Sequence, residues 1–456
     1  MAHVYLASLL TSLRIRIAAA LRPSNTFFVM LPNLIIALYV LLPITLLTSY
    51  SLPSGVFYAL VASCLALLVQ MRFAGAAQQT YRYRWLIASY SVLFLAVAAS
   101  SIYYGDWAGA NSEGALRLFL GLWLLILTLP HIDQIKLQNA LWGLLAAGLV
   151  AVGILSWLIV STDVRPSTPG RILTTYTSIM LLLGAISVFS LKWDLTASSK
   201  LEKAIKILIA LGTFISFLFS DTRTGLLGLP IFVLIALILF VGIKKPKQVV
   251  LLFSLLVALL TVAVSSNDSL RSRIAQGIHE VETCHLEEGP HYSSMCIRLQ
   301  LWRSAIDAGV NHPWLGLGDG GRYPEYLQTV AAKKGLVAQG VIAEGFGEPH
   351  NDLLLYFAGF GLPGMIGLLL AYLVPVFYFL PRLLNVDSSP KAKAAAAMGL
   401  AVCLGFLLFG LTETMFRRMN TVGFYVALVA LFMTLSGDKV EYSNSSRQRS
   451  GGRETV

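Results

Sequence analysis

Residues 225–264 read GLLGLPIFVLIALILFVGIKKPKQVVLLFSLLVALLTVAV, two uncharged apolar runs joined at Lys244, Lys245, Pro246 and Lys247. Each run approaches the roughly 20 residues that a helix needs to cross the hydrocarbon of a bilayer. Similar runs recur outward in both directions, and no soluble core could bury them all. They place twelve spans at about 27–47, 55–71, 85–103, 115–130, 139–160, 173–191, 204–219, 225–243, 248–264, 352–380, 394–412 and 419–436. The tenth is long enough to begin as a short outer helix. Only 12% of the 456 residues are charged, against about a quarter in soluble domains. The expected fold class is an all-α polytopic integral membrane protein of about 12 transmembrane helices.

The basic turn at 244–247 also sets the orientation. Cytoplasmic loops of membrane proteins collect Lys and Arg. Lys244, Lys245 and Lys247 fall on the same side as Arg82, Arg84, Lys136, Lys391, Lys393 and both basic termini. Both termini are therefore expected in the cytoplasm. This asymmetry accounts for the net charge of +11 and removes the case for a nucleic-acid partner; membrane lipids are the expected surroundings. Residues 1–22 have no cleavage pattern after them, and Leu6, Leu9, Leu10, Leu13 and Ile17 follow helical spacing. They read as a segment lying in the inner interface.

Four divisions follow: 1–264 with the interfacial segment and helices one to nine, a large outer loop at 265–349, the last three helices within 350–437, and a disordered cytoplasmic tail at 438–456. The loop carries Trp302, Trp314, Tyr323 and Tyr326, so it reads as ordered and partly helical. Cys284 and Cys296 share it, and in an oxidising compartment a disulfide is the favoured reading. Such a link would contribute roughly 3 kcal/mol in the chain-entropy model. A metal site is the alternative, because His285 and His291 lie between them, but their spacing matches no usual zinc pattern. Cys64 and Cys403 fall inside spans as small apolar residues.

The outward-facing short loops hold Arg165, Arg171, Arg223, Arg417 and Arg418 and no lysine, with Arg117 entering a span. Arginine offers a planar fork suited to phosphate. Arg165 and Arg171 read as ordinary loop charges, and Glu413 could neutralise one of Arg417 and Arg418. Arg223 is sharper, held between two apolar spans in Ser220-Asp221-Thr222-Arg223-Thr224-Gly225 with Asp221 as its structural partner. A charge that close to hydrocarbon is a functional candidate by default. Residues 298–305 read as a helix with Arg298 and Trp302 on one face and Arg303 beside them. Asn311 to Gly318 forms a Pro/Gly-punctuated turn. Then Glu348-Pro349-His350-Asn351-Asp352 leads into the tenth span, whose Gly359, Gly361 and Gly364 suit close helix approach. His350, with Glu344, Glu348 or Asp352 to orient its ring, is a candidate general base. The other reading is a satisfied interfacial histidine.

Together these residues resemble the O-antigen ligase family (WaaL-type) of the ligase/polymerase superfamily. Its short outer-loop motif, Arg then Leu four positions on, matches Arg223 and Leu227. Its second motif matches His350, Asn351, Gly361 and Gly364 without a gap. The superfamily pattern of Arg, Trp and Pro-x-x-Gly-x-Gly matches Arg298, Trp302, Pro313, Gly316 and Gly318. The layout of twelve spans with one large loop between the ninth and tenth is also similar. Asp221-Thr222 departs from the small hydroxyl residues expected before the arginine.

The resemblance implies an enzyme of lipopolysaccharide biosynthesis in a Gram-negative inner membrane, its active site facing the periplasm. The donor would be an undecaprenyl diphosphate-linked O-antigen and the acceptor a sugar hydroxyl of lipid A–core. His350 would be the catalytic base. Arg223 and Arg298, then Arg303, Arg417 and Arg418, would hold the diphosphate, with Asn351, Glu348, Asp221 and Trp302 in support. No Asp-x-Asp or ATP signature occurs in the chain, so no cofactor or metal is expected, and a single displacement would invert the anomeric centre. An O-antigen polymerase or a protein O-oligosaccharyltransferase is the alternative within the superfamily. From another class, a polyprenyl-linked glycan flippase would tolerate loss of His350.

Overall fold

The computed structural model describes residues 25–105, 110–161, 167–169, 172–220, 222, 224–265, 272, 275, 278–284, 293–319 and 322–437. The predicted interfacial segment at 1–22 and the tail at 438–456 lie outside them, as do Arg165, Arg171, Asp221, Arg223, His285 and His291. Among the described residues, nine helices are long and apolar enough to cross a membrane, and the chain is an all-α polytopic membrane protein.

The principal helices are α1 (Asn25–Thr48), α2 (Leu52–Gln70), α3 (Arg84–Tyr104), α4 (Ala110–Leu116, continued through a π turn at Arg117–Gly121 into Leu122–Thr128), α5 (Ala140–Ser161), α6 (Leu173–Phe189), α7 (Ser199–Phe219), α8 (Leu229–Val241), α9 (Pro246–Ser265), α10 (Ser294–Asn311), α11 (Asp352–Leu384), α12 (Pro390–Phe409) and α13 (Met419–Leu435). Each predicted span falls on one of them, and α10 is the additional helix of the outer segment. Helix α7 begins with Lys200, Glu202, Lys203 and Lys206 and is the least uniformly apolar. Every residue from Asn420 to Leu435 in α13 is buried. A helix apolar on all sides belongs at the centre of a bundle; α12 packs against it, and α6 packs in turn against α12.

Helix α11 positions the outer face. It leaves helical geometry at Gly361, where φ is 66° and ψ is −164°. The backbone groups freed there are taken up by the Pro313–Gly318 turn of the outer segment. Leu317 N donates to Ala358 O at 2.8 Å, Gly318 N to Gly359 O at 2.8 Å, and Leu362 N to Pro313 O at 2.7 Å. Interrupted helices are stable at membrane depth only when the loosened groups find partners in this way. Glycine is required on both sides. A Cβ on Gly316 would stand 2.2 Å from the Gly359 carbonyl carbon, and one on Gly361 would stand 2.4 Å from the Pro313 oxygen. The expectation that Gly359, Gly361 and Gly364 bring helices together is thereby corrected. The first two admit a loop, Gly364 faces Phe360 of its own helix, and the helix–helix approach is at Gly367, against the Leu93 backbone of α3.

The outer segment has a core of its own. Leu301, Ala305, Leu317, Tyr326 and Val341 are buried together over Ala358 of α11, and Tyr323 donates to Leu301 O at 2.7 Å. Ser100 and Tyr104 of α3 hold the turn by donating to Leu315 O and Gly316 O, each at 2.8 Å. Cys284 and Cys296 are joined as a disulfide, and Ser293 caps α10 by accepting from Cys296 N at 3.2 Å.

Candidate functional site

His350 is the residue just before the α11 N-cap and has φ of +50°, a region that non-glycine residues seldom occupy. Its neighbours hold it there. The Trp302 indole donates to Pro349 O at 2.9 Å, and Asn351 caps α11 by accepting from Leu354 N at 3.0 Å. The Phe346 ring stands edge-on to the imidazole, with centroids 5.9 Å apart. So held, His350 Nδ1 lies 3.4 Å from Glu413 Oε1 and 3.7 Å from Glu348 Oε1. A carboxylate partner assigns the proton to Nδ1 and leaves the Nε2 lone pair for another proton.

Glu413 comes from the loop between α12 and α13, which Asn351 and Asp352 grip from below. Asn351 Nδ2 donates to Leu411 O at 2.9 Å, and Asp352 N to Gly410 O at 2.7 Å. The Asp352 carboxylate accepts from Tyr372 at 2.7 Å, Phe416 N at 3.0 Å and Met415 N at 3.1 Å. Asp352 thus shapes the loop and is turned away from the imidazole, while Glu344 is exposed. Of the three expected ring partners only Glu348 faces His350.

The Glu413 side chain is 2% exposed and also accepts from Thr174 at the start of α6. Burial pushes its carboxyl up. The hydrogen bonds from His350 and Thr174, with the charges of protonated His350 and of Arg418, outweigh this and hold it below the ordinary glutamate value. One turn along α6, Thr177 is 2.9 Å from Thr222, the residue preceding Arg223.

Glu348 is the direct ion-pair partner of both arginines, while Glu413, expected to neutralise one of them, feels the charge of Arg418. Arg417 Nη1 is 2.7 Å from Glu348 Oε2, and Arg418 Nη2 is 3.7 Å from Glu348 Oε1. Arg417 also donates to Gly347 O at 3.0 Å. The buried Arg418 Nε makes no hydrogen bond among the described residues. Glu348 and both arginines form one wall of a cavity of about 610 Å³ that opens toward Tyr50 and Asn420. Across it, buried Arg117 pairs with Glu113 and donates to Ser54 at 3.2 Å and Met419 O at 3.0 Å. These bonds fix the backbone just after Arg418. On α10, Arg298 is partly buried one turn from Trp302, whereas Arg303 is exposed on the adjoining face.

Glu348, His350 and Glu413 present ligand atoms within 4.8 Å of one another and so have the donor set of a cation site. Arg417 and Arg418 already lie on Glu348, and Thr174 on Glu413, which opposes adding a further cation. The arrangement is better fitted to proton transfer, with a histidine held by a buried carboxylate next to two guanidinium groups. Glu413 is the member that sequence reading missed. It lies 63 residues from His350, and its only local signal was its closeness to Arg417 and Arg418.

Residues 208–369 match the family model described as O-Antigen ligase. This range includes His350, Arg298 and the glycine junction but ends before Glu413 and the arginine pair. The chain is also 23% identical over 405 residues to an "Uncharacterized protein" of Haemophilus influenzae, covering 88% of this chain and 97% of that one. The family match supports assigning the chain to the O-antigen ligase family and implies a glycosyltransferase-type activity.

Proposed function

From the likeness of residues 208–369 to the O-antigen ligase family, we propose that the protein transfers an O-antigen glycan from undecaprenyl diphosphate to a sugar hydroxyl of lipid A–core. The work would be done at the periplasmic face of the inner membrane. The observation that carries this reading is the placement of His350 between Glu413 and the Glu348–Arg417–Arg418 cluster.

In the reaction, the acceptor O–H proton passes to His350 Nε2 as its oxygen bonds to the anomeric carbon. The bond from that carbon to the donor diphosphate breaks, and undecaprenyl diphosphate leaves with the electron pair. Glu413 orients the imidazole and stabilises its protonated form. Arg417 and Arg418, with Arg298 and Arg223, offset the charge that develops on the leaving diphosphate. Arg303, on the exposed face of α10, contributes least. With arginines in this role the transfer needs no metal, and as a single displacement without a protein nucleophile it inverts the anomeric centre.

The test is transfer from a purified donor to lipid A–core by the reconstituted chain, with and without chelator. Wild type, His350→Ala and Arg223→Ala would be compared. Chelator-insensitive transfer that both substitutions remove supports the reading. Growth of the donor glycan itself would make the enzyme a polymerase, and transfer retained by His350→Ala would sink the role of the base.

A further inference from the structure

At the end of the bundle opposite His350, the ends of five segments surround a cavity of about 810 Å³, larger than the one beside the arginine pair. Three cationic side chains line it: Arg82, Arg382 at the end of α11, and Lys391 in the first turn of α12. Among the described residues of the lining, Asp387 is the one carboxylate beside these three cations. Neutral hydrogen-bonding groups, among them Gln138, Ser389 and Ser436, complete the polar wall.

The cations are held in place. Arg382 Nη1 donates to Ser436 at 2.8 Å and to Met433 O at 3.3 Å. Lys391 lies 3.5 Å from Gln138 Oε1 and 5.6 Å above the Trp193 ring, while the Trp193 indole donates to the same Gln138 oxygen at 3.0 Å. Among the described residues, the hydrogen-bond partners that position Arg382 and Lys391 are all neutral. The wall is not wholly polar. Ile135 lines the cavity and is 62% exposed, with Trp193 and Leu435 behind it. A pocket with cations inside and an apolar lip, at the level where membrane helices end, is matched to a molecule with an anionic head and a hydrocarbon tail.

We propose that this cavity binds a phosphate-bearing anion, and that the phosphodiester headgroup of an anionic phospholipid is the source its position favours. A soluble phosphate is the other source of the same chemistry. The site is independent of glycan transfer. A bound headgroup would bridge the ends of α11, α12 and α13, and so brace the helices whose other ends carry His350 and the Glu413 loop.

The experiment is thermal unfolding of the delipidated full chain in a neutral detergent. It is titrated separately with phosphatidylglycerol, phosphatidylethanolamine and inorganic phosphate. The expected result is a saturable rise in midpoint with phosphatidylglycerol alone. A charge near an anionic lipid surface contributes ~1 kcal/mol, so each cation removed should weaken binding about fivefold. Lys391→Gln and Arg82→Gln are the variants of choice, because Arg382 also braces α13 and its loss could unfold the chain for other reasons. Together they should require roughly 25-fold more phosphatidylglycerol without changing glycan transfer. A midpoint that rises equally with phosphatidylethanolamine, or a double variant that titrates like wild type, overturns the proposal. The same rise with inorganic phosphate alone retains the anion site but overturns its assignment to lipid.

Discussion

Two buried ionic clusters lie at opposite ends of the bundle, and they differ in what is left over. At one end Lys206 and Glu202 of α7 have side chains 1% and 2% exposed and lie 2.5 Å apart. Lys206 Nζ also donates to Ser190 O at 2.8 Å and Trp193 O at 2.7 Å, which uses all three of its hydrogens. Glu202 accepts from Leu195 N, Thr196 N and the Thr196 hydroxyl. That cluster is closed: it fastens the segment after α6 to the start of α7 and has no valence left for a ligand. At the other end His350 keeps a free ring nitrogen by its tautomer, Arg418 Nε has no hydrogen-bond partner among the described residues, and His350 is held in a strained left-handed conformation. A charge at the membrane boundary therefore does not by itself mark function. Unused hydrogen-bonding capacity beside a cavity does.

The largest test of this contrast is His350→Ala. Loss of a general base costs about 10²–10⁴-fold in rate, so transfer per folded molecule should fall by that factor with little change in thermal midpoint. A loss below tenfold would mean that the open cluster is as structural as the closed one. Glu413→Gln comes next. A misplaced catalytic group costs about 10²-fold, so kcat should drop to that extent while KM for the donor hardly moves. Glu413→Asp, which keeps the charge, should recover part of the loss. A change confined to KM would place Glu413 among substrate contacts instead.

The same contrast explains what was legible in the sequence. Every predicted span has its helix because hydrocarbon demands long apolar runs and every run declares itself locally. His350 and Asn351 were also legible, since the N-cap and the proposed base are adjacent in the chain. The carboxylate partner was not. Glu413 meets His350 only because Asp352 bonds the Met415 and Phe416 amides and folds the loop back over α11. Spacing alone could not separate Glu348 from Asp352, each two residues from His350, yet the helical position of Asp352 turns it toward Tyr372. The glycine motif was seen but its use was misread, because Pro313–Gly318 and Gly359–Gly361 join across the chain rather than along a helix pair.

Lys206→Met probes the closed cluster. Removing one member of a buried pair strands the other and costs about 3–5 kcal/mol. The thermal midpoint should fall clearly, while transfer per folded molecule at low temperature stays within about twofold of wild type. Glu202→Gln/Lys206→Met, which leaves no unpaired charge, should regain part of the stability. Transfer falling in step with His350→Ala would break the distinction between the two clusters.

The smallest expected effect separates Arg298 from Arg303, both on α10, which the family resemblance already ranked in that order. Trp302 faces the site, since its indole holds Pro349. Arg298 lies four residues before it and shares that face. Arg303 follows Trp302 directly, is rotated to the adjoining face and is exposed. An exposed arginine on that adjoining face acts on a phosphate only through screened, solvated charge. Arg303→Ala should therefore change KM for the donor by less than about twofold, a difference abolished by raising the salt concentration. Arg298→Ala should raise KM or lower kcat by about tenfold or more, as expected for loss of a charge-assisted contact of roughly 1.5–3 kcal/mol. Equal effects from the two substitutions would mean that the α10 face is not what admits an arginine to the site.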